Sequence, residues 1–376
     1  METHDEVTVQ VASSESPPEV RRDAEYWLED GTVILVARGV EFRVYKGVLS
    51  THSPVFADMF SLPQPDQSPS QCPVVHLDDS PEDFRYVLRA LLPGTNQRFV
   101  CDYPDPKPDA NMIFAYTRLG HKYQIEHLFN QAVEFLKKRF TGDLTGWSWK
   151  VNIGGYVPPN FKPMHAIGVV NIARLAGCPI MLPIALVVCC SLKPKRLLRG
   201  FKRADGSYER LDHEDLLRCL TATPVLMQKT TSAVLRAFAA FENKRCTTAA
   251  RCQKGLQTLL HGSLATDGAL IANPHPFHPW VFYAKDHIEN GSICMHCLTA
   301  VRNHLRFEQE AIWKELPDVF HIDVEHWAEP SLAREPHQPA MHLPIVGESD
   351  SDSDEVGTHV THRRVIAHSV SLLYQD

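Results

Sequence analysis

Asp30-Gly-Thr-Val-Ile-Leu-Val-Ala-Arg-Gly-Val-Glu-Phe-Arg-Val44 decides the fold of the N-terminal third of this chain. Gly31 to Val36 is a β-branched apolar run, and Val40 to Val44 alternates apolar and charged residues at period two, so both segments read as strands. Ala37-Arg38-Gly39 between them reads as the turn of a hairpin. Next comes Ser53-Pro-Val-Phe-Ala-Asp-Met-Phe60, a capping Ser ahead of Pro at the first helical position. That order predicts a short helix packing on the hairpin.

Val74-Val-His-Leu77 reads as a third strand. Ser80-Pro-Glu-Asp83 repeats the cap, Pro and acid signature ahead of Phe84, Val87, Leu88 and Leu91, which predicts a helix to about Leu92. After a loop holding Pro104, Pro106 and Pro108, residues 110–139 read as two helices with Leu119, Tyr123, Leu128, Ala132, Phe135 and Leu136 at the apolar positions. The order is hairpin, helix, strand, then a helical cluster.

A chain of 376 residues exceeds the ~250–300 that one hydrophobic core supports, so at least two packed units are expected. Residues 1–24 carry six acids and two bases and few large apolar side chains, the composition of a disordered lead-in. Residues 25–140 form the first domain. Thr141-Gly-Asp-Leu-Thr-Gly-Trp-Ser-Trp149, with Gly154-Gly155 and Pro158-Pro159, opens a connector over 141–160, docked through Trp147 and Trp149.

Residues 161–330 read as a second, mainly α-helical domain, with periodic segments at 164–177, 180–192, 212–220, 224–245, 250–261 and 297–316 and no strand pattern. Pro317 is expected to end the last of these helices, and Trp313, Leu316 and Phe320 are expected in the core. Residues 331–376 read as an acidic disordered tail. Within it, Ser349, Ser351 and Ser353, each followed by Asp, suit an acid-directed kinase, and a merely solubilising tail is the alternative. The fold class is thus an α+β N-terminal domain followed by a mainly α-helical one.

Five ordered blocks carry a resemblance to a known family. Asp30-Gly-Thr-Val-Ile-Leu-Val36, Phe42-Arg-Val-Tyr-Lys-Gly-Val-Leu-Ser50, Ser53 to Phe60, Val75-His-Leu-Asp-Asp79 and Leu119-Gly-His-Lys-Tyr-Gln-Ile125 followed by Leu128 resemble a BTB/POZ domain over about residues 25–140. The blocks are most similar to the BTB proteins that are numerous in fungi. The resemblance implies a protein-interaction module without catalysis of its own, which self-associates into a homo-oligomer or docks a scaffold such as a cullin-type ubiquitin ligase. Many BTB domains have His before the Lys of the second strand, where this chain has Tyr45.

The N-terminus lacks the cationic and apolar regions of a secretory signal, so the chain is expected inside the cell, in cytoplasm or nucleus, with its ten cysteines mostly thiols. The longest apolar run, Cys178 to Cys190, contains Pro179 and Pro183 and is shorter than the ~20 residues that span a bilayer. It reads as buried core, and no membrane partner is expected. The net charge of −7 argues against broad nucleic-acid binding. Residues 25–140 hold 12 bases and 15 acids, and 141–330 hold 21 and 17, so a weak positive balance falls on the second domain. Lys193, Lys195, Arg196, Arg199, Lys202 and Arg203 read either as a solvated helix end or as an import or phosphate-binding segment.

Cys246-x5-Cys252 and Cys294-x2-Cys297 fall at junctions between helices and are the candidate metal ligands. A two-residue spacer lets both sulfurs reach one zinc at about 2.3 Å, and a helix N-terminus favours the thiolate that binds it. The competing reading makes these residues small buried hydrophobes. A second set, His275, His278, His287 and His296, is interleaved with prolines and reads as a packed loop whose ring nitrogens see solvent. No phosphate-cradling, dinucleotide, zincin or serine-hydrolase motif occurs, so no enzyme is expected. Two functions remain open: an adaptor that recruits a partner through its helical domain, and a transcriptional regulator with a zinc-stiffened helical domain.

Overall fold

A computed structural model of the chain describes residues 20–62, 72–92, 109–145, 147, 157–158, 160–239, 243–265, 273–277 and 290–329. Within them the chain divides into two compact units, one of Met1–Phe99 and Arg118–Phe129 and the other of Val100–Thr117 and Asn130–Asp376.

The first unit is built on a mixed sheet of β1 (Arg21–Trp27), β2 (Val33–Ala37), β3 (Val40–Val44) and β4 (Val74–Leu77) in the order β1-β3-β2-β4. β2 and β3 form the expected antiparallel hairpin, from Val33 opposite Val44 to Ala37 opposite Val40. Its turn residues Arg38 and Gly39 have φ of 43° and 82°, the paired positive values of the tight turn that matches strand twist. β1 and β4 lie parallel to β3 and β2 respectively. β1 takes in four residues of the segment read as lead-in. It offers only Tyr26 and Trp27 as large apolar residues, so period-two reading passes over it. What shapes it is the buried carboxylate of Asp23, which accepts the backbone N–H groups of Glu25 and Tyr26 at 3.0 Å and pairs with Arg85 at 2.6 Å.

Three helices cover this sheet: α1 (Lys46–His52), α2 (Pro54–Ser61) and α3 (Pro81–Leu91). Ser53 caps α2 by accepting the Phe56 N–H, and Ser80 caps α3 by accepting the Asp83 N–H. α1 was not anticipated, because its cap comes from another element: the Lys46 N–H donates to Thr32 Oγ1 at 2.9 Å. Phe42, Phe56 and Phe84 are fully buried and meet edge to face beneath the helices.

α4 (Ala110–Lys122) and α5 (Glu126–Lys137) contribute residues to both units. The second unit continues through α6 (Ala166–Leu175), α7 (Leu182–Cys190), α8 (Pro194–Arg199), the short hairpin β5 (Phe201–Lys202) and β6 (Tyr208–Glu209), and then α9 (His213–Phe238), α10 (Ala249–Ala265) and α11 (Met295–Phe320). All nine residues of α7 are buried, as an all-apolar helix requires. Around it pack α6, α9 and α11. Two ion pairs, Lys229–Glu315 and Arg236–Glu308, join α9 to α11, and their opposed numbering makes the helices antiparallel. The short hairpin is a correction to the strand-free reading of this region: two residues per strand are too few to show a period.

Pro317, expected to end a helix, and Pro224, at the start of a segment read as a separate helix, both lie inside helices. Pro224 is passed by α9, which joins the segments read separately at 212–220 and 224–245 but ends at Phe238, short of the expected 245. The carbonyl that Pro224 leaves without a helical donor belongs to Leu220, which is exposed, so water can serve it. α11 continues past Pro317 to Phe320 because the carbonyl released there, that of the buried Trp313, accepts the indole N–H of Trp327 at 2.7 Å. The two indoles stack at 5.0 Å, and the Trp313 indole N–H donates to the Gly142 carbonyl at 2.8 Å. Trp147, fully buried, joins the same cluster against Trp313, His275 and Phe277. The connector residue Trp147 is thus docked. Trp149 and the tail serines 349, 351 and 353 lie outside the described residues. Among the described residues no helix is long and apolar enough to cross a membrane.

Two predictions follow from this packing. Trp327→Phe keeps a ring over Trp313 but removes the donor, and should lower the unfolding free energy by about 1 kcal/mol. In a Pro317→Ala background, where a helical N–H again faces the Trp313 carbonyl, the same substitution should cost less; denaturant unfolding of the four proteins closes the cycle. His165 packs against Phe114, Phe161 and Phe201, and burial, reinforced by the Lys162 charge, pushes its imidazole from 6.5 down to about 4. A depressed histidine is protonated more readily in the unfolded chain. Its contribution is therefore intact above pH 6.5 and lost as pH falls toward 4, by about 2 kcal/mol after allowance for partial screening. Unfolding free energies compared at pH 7 and pH 5 should show a smaller loss in His165→Phe than in the parent.

Candidate functional site

The separated blocks of the N-terminal unit converge on Tyr123, in the turn between α4 and α5. Its ring stacks on Phe56 at 4.3 Å, and its carbonyl accepts the hydroxyl of Ser53, the residue that also caps α2. The Tyr123 hydroxyl donates to Asp79, at the end of the Val75–Asp79 block, and Lys122 pairs with the same carboxylate at 2.8 Å. Burial, then the bond to Asp79, pushes the Tyr123 phenol far above its ordinary value, so it stays a donor. Gln124, at φ 52°, turns the chain so that Ile125 is buried. Close by in sequence to the first block, Tyr45 donates its hydroxyl to Asp30 at 2.7 Å.

The second site lies where α9, α10 and α11 approach one another. Asn243 Oδ1 accepts the Arg245 N–H and forms a turn that delivers Cys246. Cys252 is the fourth residue of α10, Cys294 is the N-cap of α11 and Cys297 its third residue. All four sulfurs lie within 4.8 Å of one another. Cys246 to Cys252 is 3.7 Å and Cys246 to Cys294 is 3.8 Å. Beneath them lies an apolar floor that includes Val234, Leu256, Ile293, Leu298 and Val301.

Several groups aim hydrogen at these sulfurs. The Cys294 backbone N–H donates to Cys252 Sγ at 3.3 Å. Thr248 Oγ1 lies 3.5 Å from the same sulfur and is itself offered a proton by Arg251, which leaves the hydroxyl hydrogen for Cys252. The Asn243 amide donates to the His296 carbonyl at 2.9 Å and approaches Cys297 Sγ at 4.0 Å. Burial acts to raise the Cys252 thiol, but the bonds from Thr248 and the Cys294 N–H, with those of the Cys246 and Cys294 thiols, outweigh it and bring it down to about 7. Burial, and then its sulfur neighbours, push Cys297 upward. Two of the supporting residues, Asn243 and Thr248, were passed over in the sequence, although each stands three or four residues before a candidate cysteine. Gly255 was also missed. A Cβ there would come within 2.5 Å of the Ser292 carbonyl oxygen, so only glycine lets α10 lie this close to the chain entering α11.

The remaining candidates are placed differently. All nine cysteines among the described residues are free of disulfides. Cys190 and Cys219 are raised by hydrogen bonding to neighbouring thiols and by burial, which holds them protonated. His275 is buried against Trp147, contrary to the expectation that its nitrogens face solvent, while His296 is exposed on α11; His278 and His287 lie outside the described residues. The basic run is divided: Leu197 and Phe201 point into the core and Arg203 faces Asp205 and Glu209, as befits a helix end followed by a hairpin.

Neither a curated protein nor a solved structure matches the chain. A family model does match, that of the BTB/POZ domain, over residues 28–140. That span contains the β2–β3 hairpin, the Ser-capped helices and the Tyr123 turn, in the order of the five blocks. The chain therefore carries a BTB/POZ domain, a protein–protein interaction module, over residues 28–140.

Proposed function

We propose that the chain is a non-catalytic intracellular adaptor. Its BTB/POZ domain self-associates or docks a scaffold, and its helical region recruits a second protein. The observation that carries this reading is the family match over residues 28–140. The order of the five blocks within that span supports it. In this arrangement residues 25–140 supply the interaction domain, 141–160 the connector and 161–330 the recruiting domain, with 1–24 as lead-in and 331–376 as an acidic tail. A cullin-type ubiquitin ligase subunit is the scaffold that this class of module suits.

Light scattering on the full chain tests self-association. The expected mass is at least twice that of one chain at tens of micromolar, a concentration at which a micromolar dissociation constant would show. A well-folded species that stays monomeric there removes the homo-oligomer. Affinity purification of the tagged chain with mass spectrometry should return cullin-type scaffold subunits. Recovery of chromatin proteins in their place would favour the transcriptional regulator.

A further inference from the structure

We propose that Cys246, Cys252, Cys294 and Cys297 hold one zinc ion as a four-thiolate structural site that ties the turn before α10 to the first turns of α10 and α11. Zinc–sulfur bonds of about 2.3 Å in a tetrahedron place the sulfurs about 3.8 Å apart. The two closest separations here, 3.7 and 3.8 Å, have that length, and no sulfur lies more than 4.8 Å from another. A disulfide brings two sulfurs to about 2.05 Å and has no use for a third and fourth. Convergence of four sulfurs drawn from three segments has a reason only if something sits among them. Among the described residues this is the one cluster of three or more metal-ligating side chains.

The surroundings suit a thiolate-bound cation rather than four buried thiols. A zinc with four thiolates carries a net double negative charge, which needs donors around it. The Cys294 N–H, the Thr248 hydroxyl and the Asn243 amide are directed at the sulfurs. Cys252 and Cys297 also lie in the first turns of two helices, whose free N–H groups favour negative charge. The all-sulfur set selects a soft or borderline ion over magnesium or calcium. Closing the 41 residues between Cys252 and Cys294 into a loop also restrains the unfolded chain.

The test uses the full chain, purified under reducing conditions without chelator. Elemental analysis should give about one zinc per chain. Replacement by cobalt(II) should produce the thiolate-to-metal charge-transfer absorption and the intense visible bands of a tetrahedral sulfur site. Removal of zinc by a chelator should lower the melting temperature, and returning zinc alone should restore it. Cys252→Ser and Cys297→Ser should each lose the cobalt spectrum, whereas Cys297→His, which retains a ligand, should keep a tetrahedral spectrum with weaker charge transfer. Should the serine variants fail to fold, the spectrum and chelator titration of the unaltered chain still decide. A metal-free chain that takes up no cobalt overturns the proposal, as does a serine variant with an unchanged spectrum. Iron in place of zinc overturns the choice of metal.

Discussion

The hydrogen bond from the Trp327 indole to the Trp313 carbonyl underlies much of the second unit. Without a substitute donor, Pro317 would leave that carbonyl unsatisfied beside a buried side chain, and a helix would be expected to stop or bend. With the donor in place, α11 runs for 26 residues and carries partners along its whole length. Trp313 then gathers Trp147, Phe277 and, through its own indole N–H, the Gly142 carbonyl. The last helix, the segment after α5 and the 273–277 loop are thus fixed around one ring. Along the same helix, Glu315 and Glu308 meet Lys229 and Arg236 of α9, and its N-cap and first turn hold Cys294 and Cys297. A local solution to one missing donor sets the position of elements far apart in sequence.

The first unit rests on a different kind of constraint. The β2–β3 hairpin, the helices after Ser53 and Ser80 and the Tyr123 turn are each specified locally, by φ values in the turns and by serine caps. They are then joined by side chains that do two tasks at once. Ser53 accepts from its own helix and donates to Tyr123, and Tyr123 stacks on Phe56 while donating to Asp79. Agreement between local signals and long-range contacts is what lets a sequence specify one structure.

What the sequence disclosed follows from the reach of each signal. The β2–β3 hairpin, the helices after Ser53 and Ser80 and the buried run that becomes α7 were legible because cap, turn or apolar period lies within a few residues. The four cysteines were legible as a candidate site from type and spacing alone. β1, α1 and the passage of α11 through Pro317 were not, since each depends on a partner from elsewhere: Asp23 with Arg85, Thr32 with Lys46, Trp327 with Trp313. Pro224 was misread for a simpler reason. Whether a proline breaks a helix depends on which face its orphaned carbonyl meets, and that is decided by packing. The approach of Asn243 to Cys297 was invisible for the same cause, because 54 residues separate them, whereas Thr248 stands only four residues before Cys252.

Gly255 has a bearing on how that cluster works. The backbone contact it permits with Ser292 holds α10 against the chain leading into α11, so the separation between Cys252 and Cys294 is gauged by main chain and not by the sulfurs themselves. A hydrogen atom in place of a methyl group serves as the ruler. That close approach limits how far α10 can shift against the chain entering α11 at the level of the cysteines. The same contact makes position 255 intolerant of a larger residue: one added carbon would push α10 away from Ser292, close to the four sulfurs.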